Sequence, residues 1–466
     1  MKNKRTCNAV FFAFLVVFMV GCKKNFLDEK PSSKIVLPST LGDITGLLDN
    51  PAFYSFSSPA LAIISSDEFE YRDYNTWKSL PTVAERNTYI WASDLYEDLP
   101  NLDDWFTPYK CIFYANNAIA GLERIPLTRD NTEKHNYLKG WAHFNRAYFF
   151  YVLASNFCKS YDSQTAANDL GIPLKVSPAI DEIMQRSSLQ ETYEQIFRDL
   201  NVAKQMLEKQ RIPSEQKNRP SLAAVYALEA RIYLNMREYR KAEFASDNCL
   251  ALYSKLIDYN SVKLPNTTPF SRTNVENIFV TCTTSTFLGM ATGKNNGNIK
   301  IKESLLNLYD SEDLRAKIYF VVANGGGLVM NRGYFGAGSY PFTGLATDEI
   351  YLIKAECVAR RGDFNGSMSV LNKLLINRFP TSKFIPKQVT SQQEAMEVLL
   401  TERRKELIWR GIRWEDLKRL NKEGANITLT RLLNGVTYSL LPNDPKYVFP
   451  IPSAEIAFSG ITQNLR

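Results

Sequence analysis

Glu402-Arg403-Arg404-Lys405-Glu406-Leu407, followed by Gly411-Ile412-Arg413-Trp414-Glu415-Asp416-Leu417-Lys418-Arg419, is the stretch on which the architecture of this 466-residue chain turns. Ser391 and Glu394, three residues apart, offer a capping box just upstream, and the pattern predicts a helix from there to about Leu420. Within it Glu402 and Lys405 (i, i+3) and Glu406 and Arg410 (i, i+4) read as ordinary surface ion pairs, each contributing about 0.2–0.5 kcal/mol. The block as a whole reads as structural, clasping helices and loops, rather than as a catalytic site.

Working outward from this block, helical periodicity extends back to about Leu102. Leu189, Tyr193, Ile196, Phe197, Leu200, Ala203 and Leu207 recur every three or four residues and mark one helix face. Ser188 and Glu191 form a capping box at its start. Two segments also repeat each other: Ala230, Tyr233, Tyr239, Ala242 and Cys249 have the same spacing as Ala355, Val358, Phe364, Ser367 and Leu374. In each, a turn (Met236-Arg237-Glu238 or Arg361-Gly362-Asp363) precedes the aromatic residue. Small residues at a helix crossing with an aromatic after the turn resemble tetratricopeptide helix pairs. Between the two units, roughly 259–346, the chain is rich in Thr, Asn and Gly, including Asn324-Gly325-Gly326-Gly327, and reads as loops and short strands. The end of the chain, with Pro442, Pro445, Pro450 and Pro452, is similarly non-helical. The expected fold class is mainly α: a tetratricopeptide-like helical-pair scaffold with long irregular insertions. The scaffold is placed at about 102–258 and 347–420, and the loop-rich insertions at about 41–101, 259–346 and 421–466, all within one domain over 41–466.

The N-terminus carries an address. Lys2, Lys4 and Arg5 precede an apolar run from Ala9 to Val20, too short for the roughly 20 residues of a spanning helix. Met19-Val20-Gly21-Cys22 resembles a bacterial lipobox, so residues 1–21 are expected to be a signal peptide and Cys22 the lipidated N-terminus. Residues 22–40, with Pro31 and Pro38, are then a tether between lipid and body. Without the leader, 53 Lys and Arg face 49 Asp and Glu. So mild a balance argues against a dedicated nucleic-acid binder. Cys111, Cys158, Cys249, Cys282 and Cys357 are widely spaced with no CxxC, which fits neither a disulfide framework nor a zinc site.

Chemistry is hard to find. His135 and His143 are the two histidines, no HExxH or GxSxG is present, and the glycine runs match neither GxGxxG nor a P-loop. Asp67, Glu68, Glu70 and Asp73 are the strongest catalytic temptation, because a glycosidase needs two carboxylates in one cleft; solvated surface is the plainer reading. No cofactor and no metal are expected.

Aromatic residues are more informative. The chain holds 24 Tyr, 27 Phe and 6 Trp. Several stand among polar residues outside strong periodicity, where a ring can stack on the apolar face of a sugar while neighbouring amides and guanidinium groups pair with hydroxyls. Tyr74, Asn75, Trp77, Trp91, Asn331, Arg332, Tyr334 and Tyr340 are the ligand-binding candidates on this ground.

The charged block, read with Phe449-Pro450-Ile451-Pro452, Glu455-Ile456 and Gln463-Asn464, resembles the signature and C-terminus of SusD/RagB lipoproteins. Further matches are Asn116-Asn117, Arg146-Ala147-Tyr148, Gly171-Ile172-Pro173-Leu174, Asp199-Leu200, Glu349-Ile350-Tyr351-Leu352, Ala355-Glu356, Asn372 and Arg378. Cys22-Lys23-Lys24-Asn25-Phe26-Leu27-Asp28 looks like the family's mature start. One departure is Arg410, where the family usually has Glu before the glycine, and this puts one local ion pair in doubt. The resemblance implies a helical scaffold of tetratricopeptide-like pairs supporting an irregular ligand-binding half. It also implies lipid anchoring at the outer membrane, facing the cell surface, and a SusC-like TonB-dependent transporter as partner. The implied ligand is a glycan or oligosaccharide, or a peptide as in the RagB branch, and no catalysis is implied. A surface-anchored glycan hydrolase and a tetratricopeptide scaffold for envelope proteins are the rival readings.

Overall fold

A computed structural model describes residues 38–50, 56–97, 99–264, 270–284, 287–334, 336 and 340–466. Cys22, the leader and nearly all of the tether lie outside these residues. Residues 38–178 and 183–466 form one compact unit. Its long helices are α1 (Asp103–Arg124), α2 (Thr132–Phe157), α3 (Leu189–Met206), α4 (Leu222–Asn235), α5 (Tyr239–Leu252), α6 (Thr347–Arg360), α7 (Phe364–Leu375), α8 (Gln392–Glu406) and α9 (Arg413–Lys422).

The expected mainly helical scaffold is present. α1 and α2 form one antiparallel hairpin with α3 along the other side of α2, and α4/α5 and α6/α7 form two more. Every residue of α2 from Gly140 to Phe157 is buried, His143, Asn145 and Arg146 included, because α1 and α3 pack on it from two sides. The two repeated segments are the α4/α5 and α6/α7 hairpins, and α5 lies directly against α6 although a long insertion separates them in sequence. Ala230, Ala242 and Cys249 are fully buried, as are Ala355, Ser367 and Leu374, so small residues sit where the helices cross. All five cysteines of the body are buried free thiols.

One cap and one helix boundary differ from expectation. The Ser188 box forms in full, with Glu191 N–H donating to Ser188 Oγ at 3.1 Å and Ser188 N–H to Glu191 Oε2 at 2.8 Å. At Ser391 one arm forms, from Glu394 N–H at 3.1 Å, but the Glu394 carboxylate accepts from Thr390 N–H at 2.7 Å instead. The helix predicted to reach Leu420 stops at Glu406 and restarts at Arg413. Trp409 (φ 63°) and Gly411 (φ 71°) are left-handed there, which turns the chain so that Trp409 is buried beside Phe69 at 5.5 Å.

The insertions and the connection between α2 and α3 are built from short elements. Strands β1 (Phe69–Tyr71), β2 (Leu170–Pro173), β3 (Arg186–Ser188), β4 (Asn277–Phe279), β5 (Ile299–Ile301), β6 (Phe320–Val322), β7 (Leu328–Met330), β8 (Leu345–Ala346), β9 (Leu429–Leu433) and β10 (Val436–Leu440) form two-stranded antiparallel pairs. β1 pairs with β5, with Phe69 opposite Ile301 and Tyr71 opposite Ile299. β9 and β10 form a hairpin through Asn434 and Gly435, both at positive φ as a two-residue turn of this kind demands. The 41–101 region is more ordered than its loop-rich composition suggests, with short helices at Leu41–Leu48, Leu61–Ser65, Tyr74–Lys78 and Val83–Tyr89.

Candidate ligand-binding site

The signature block is a clasp, but a buried one, which corrects the reading of its pairs as surface ion pairs. Arg315 is fully buried and donates to Asp313 Oδ2 at 2.8 Å, Glu402 Oε2 at 2.6 Å and Glu406 Oε2 at 3.0 Å. Arg378 joins Glu406 to Glu276 at 2.8 and 2.6 Å. Lys405 pairs with Glu402 at 3.0 Å as expected. Arg410 does not reach Glu406. It pairs with Asp348 at 2.9 Å and lies 3.8 Å from the Tyr334 ring centroid, so the residue departing from the family pattern has its own counter-ion. Further on, Arg419 bridges Glu356 and Asp416 at 2.6 and 2.9 Å.

The other matching residues clasp as well. Arg146 donates to Asp199 at 2.6 Å and to Asn116 at 2.9 Å, and His143 shares Asp199 at 2.7 Å. Gln463 and Asn464 tie the chain end to Ile451, Phe449 and Phe157 backbone oxygens at 2.8–2.9 Å.

The acidic group at 67–73 is dispersed: only Glu70 lies in β1, with Asp67 and Glu68 before the strand and Asp73 after it. Asp67 is gripped by Arg413 at 2.7 Å and Arg404 at 2.8 Å. Although burial opposes it, these two guanidinium groups hold its carboxyl well below the usual range. Glu68 points inward to Trp409 N–H at 3.2 Å, and burial pushes it up to about 7. Glu70 pairs with Lys300 across the β1/β5 strands at 3.1 Å. Asp73 caps the next helix by accepting from Thr76 N–H at 2.8 Å.

That helix, Tyr74–Lys78, carries the best-placed candidates. Tyr74 and Trp77 are three residues apart and share a face, with ring centroids 5.6 Å apart at 36°. Both rings are half-buried and Asn75 is exposed. The indole N–H of Trp77 donates to the Arg86 carbonyl at 3.1 Å, which fixes the ring's orientation. Just before the helix, the Arg72 guanidinium donates to the carbonyls of Gly325 and Gly326. A Cβ at Gly325 would come within 2.5 Å of that guanidinium, so a side chain there would displace the head of Arg72. Nothing local to either segment signals this clamp in the sequence.

The remaining candidates are elsewhere. Asn331 is half-buried and Arg332 exposed at the other end of β7 from the glycine loop. Tyr340 is half-buried against Phe56 at 4.6 Å. Two expectations of an open stacking face need correction. Trp91 is 2% exposed, with its indole N–H on Ser65 O at 3.1 Å and Arg431 4.6 Å from its ring. Tyr334 is 7% exposed, its hydroxyl on Glu276 and its ring under Arg410. In both cases the ring packs against a buried guanidinium and its polar edge has a buried acceptor.

Residues 25–234 match the family described as "Starch-binding associating with outer membrane", and residues 338–465 match the SusD family. The chain belongs to the SusD family. Solved SusD-family structures share its fold over nearly the whole length. A SusD superfamily protein from Bacteroides thetaiotaomicron is 22% identical, with a TM-score of 0.74 over 92% of this chain and 100% of that one. A SusD-like carbohydrate binding protein from Bacteroides vulgatus is 19% identical, with a TM-score of 0.68 over 91% and 97%. Surface glycan-binding protein A from Bacteroides fluxus is 19% identical, with a TM-score of 0.69 over 92% and 99%. No curated protein matches the chain.

Proposed function

We propose that this SusD-family protein is a non-catalytic outer-membrane lipoprotein, anchored at the cell surface through Cys22. It binds a glycan or oligosaccharide nutrient and delivers it to a SusC-like TonB-dependent transporter. The single observation that carries the binding role is the Tyr74–Trp77 pair. Two half-open rings, one with its edge tethered, sit beside an exposed amide on a helix clamped to the glycine loop. Such rings can meet the apolar face of a sugar at low entropic cost because they are already oriented. Family membership supports the membrane location and the transporter partner. A binding role also fits the uses of the candidate carboxylates, since Asp67 and Glu70 are ion-paired and Asp73 is a helix cap.

The test is binding of the full chain to a panel of polysaccharides and peptides, with reducing-sugar release monitored in the same samples. Retention of a glycan without sugar release supports the proposal. Release of reducing ends would replace it with the hydrolase, and peptide retention alone would replace the ligand class. Co-purification with a TonB-dependent transporter from the native membrane tests the delivery step.

A further inference from the structure

A cavity of about 590 Å³ lies away from every aromatic candidate, between the end of α2, helix α9 and the C-terminal segment. Its volume is within the range of small-ligand sites. Three of its lining residues are Lys159, Lys418 and Lys422. The outer two are already paired: Lys159 with Asp169 at 2.7 Å and Lys422 with Asp162 at 2.9 Å.

Lys418 is different. It is 7% exposed, and its ammonium donates to the backbone oxygens of Ser155 and Cys158 at 2.8 Å each. Those two bonds tie α9 to the C-terminal end of α2 and leave the third N–H unused. Among the described residues Lys418 forms no ion pair within 4.0 Å. Glu415, one turn earlier on α9, accepts instead from Asn235 at 2.5 Å and from Tyr151 at 2.6 Å. Burial accordingly pushes the Lys418 amine down to about 8, against the opposing influence of Cys158 and Glu415. The two carbonyls at the negative end of α2 stabilise this cation in part, and an incoming carboxylate would supply the full counter-charge that they lack.

The carboxylates on the cavity wall do not serve. Asp169 is held by Lys159, and Asp444 Oδ1 accepts from Lys446 N–H at 2.8 Å as the cap of a short turn. Around the charge, Asn443 keeps its side-chain carbonyl free after donating to Asn421 O at 3.1 Å, and Pro445 offers an apolar surface.

We infer that this cavity is a second binding site, for a small acidic sugar of one or two rings whose carboxylate pairs with Lys418. It is separate from the Tyr74–Trp77 surface; the carboxylate is argued from Lys418, whereas the sugar that carries it rests on the glycan reading given above. The probe is digalacturonate, titrated calorimetrically into the full chain alongside cellobiose and glycylglycine. Digalacturonate should bind at least about 10-fold more tightly than cellobiose, the difference expected for a buried charge-assisted contact. Lys418→Met should abolish binding. Because that variant also loses the α2–α9 tie, Asn168→Trp serves as a second test: Asn168 is an exposed lining residue, and a Trp there should block entry with Lys418 intact. Trp77→Ala should leave digalacturonate affinity unchanged. Equal binding of cellobiose, binding of glycylglycine without digalacturonate, no binding at all, full affinity in Asn168→Trp, or loss of affinity in Trp77→Ala would each overturn the inference.

Discussion

Arg237 and Gly362 occupy the same left-handed position in the turns of the two stacked helical hairpins, with φ of 63° and 97°. The turn geometry is therefore shared while its residue is not. A side chain at Gly362 would meet nothing within 4 Å, so the effect of adding one comes from the backbone alone. Gly362→Ala should cost about 1–2 kcal/mol in urea unfolding. Arg237 already bears that strain, and Arg237→Gly should change stability by less than about 1 kcal/mol, because relief of strain offsets the greater unfolded-state entropy of glycine. Equal losses in both variants would show that the two turns are not equivalent.

Arg315 supplies the second prediction. It is the shared partner of Asp313, Glu402 and Glu406, all buried. Arg315→Met keeps the volume roughly constant but leaves the three carboxylates with Lys405 and Arg378 as their cations. Removing one member of such a network should cost about 3–5 kcal/mol. Glu133→Gln, which removes an exposed pair with Lys209 at 3.1 Å, should cost less than about 0.5 kcal/mol. Chemical unfolding of both variants measures the difference.

These contrasts explain what was legible in the sequence. Helix periodicity, the small residues at 230, 242, 355 and 367, and the glycines and prolines of the insertions are local signals, and they gave the helical-pair scaffold with its irregular half. The signature residues gave the family. What could not be read was burial of charge, because it depends on partners far along the chain. Glu406 looks like the surface partner of Arg410 at helical spacing, but its partners are Arg315 and Arg378. The same blindness affected the site. Trp91 and Tyr334 stand among polar residues, yet their rings pack inside against Arg431 and Arg410. No local pattern announces the Arg72 clamp or the cavity around Lys418.

Ligand contact at the Tyr74–Trp77 surface follows from the proposed function. Trp77→Ala and Tyr74→Ala should each weaken binding of the cognate glycan by roughly 3- to 10-fold, from loss of one stacking ring. Trp77→Phe should retain more affinity than Trp77→Ala, though without the Arg86 tether. Neither ring lies in the deep core, so melting temperatures should change little. Trp91→Ala should behave oppositely, lowering stability by about 3–5 kcal/mol because it removes a buried indole from under Arg431. Affinity measured on samples of confirmed fold separates the two classes, and unchanged affinity in both alanine variants would remove this helix from the site.

The pH dependence of stability rests on Glu68. Burial raises its carboxyl to about 7 from an ordinary value of 4.5, so between those values the folded chain binds a proton that the unfolded chain has released. Stability therefore falls as pH rises from about 4.5 to 7, by on the order of 3 kcal/mol from this group, and then levels off. Glu276, raised to about 7, and Asp104, raised to about 6, contribute in the same direction. Asp67 acts in the opposite sense, since its lowered carboxyl adds stability that is lost as pH falls below about 4. Glu68→Gln removes one titration and leaves the others in place. The variant should gain on the native protein between pH 5 and 7.5, and the gap should be constant above that range. Unfolding free energies measured at half-unit steps test this, and parallel curves would mean that Glu68 ionises in the folded protein at its ordinary pKa.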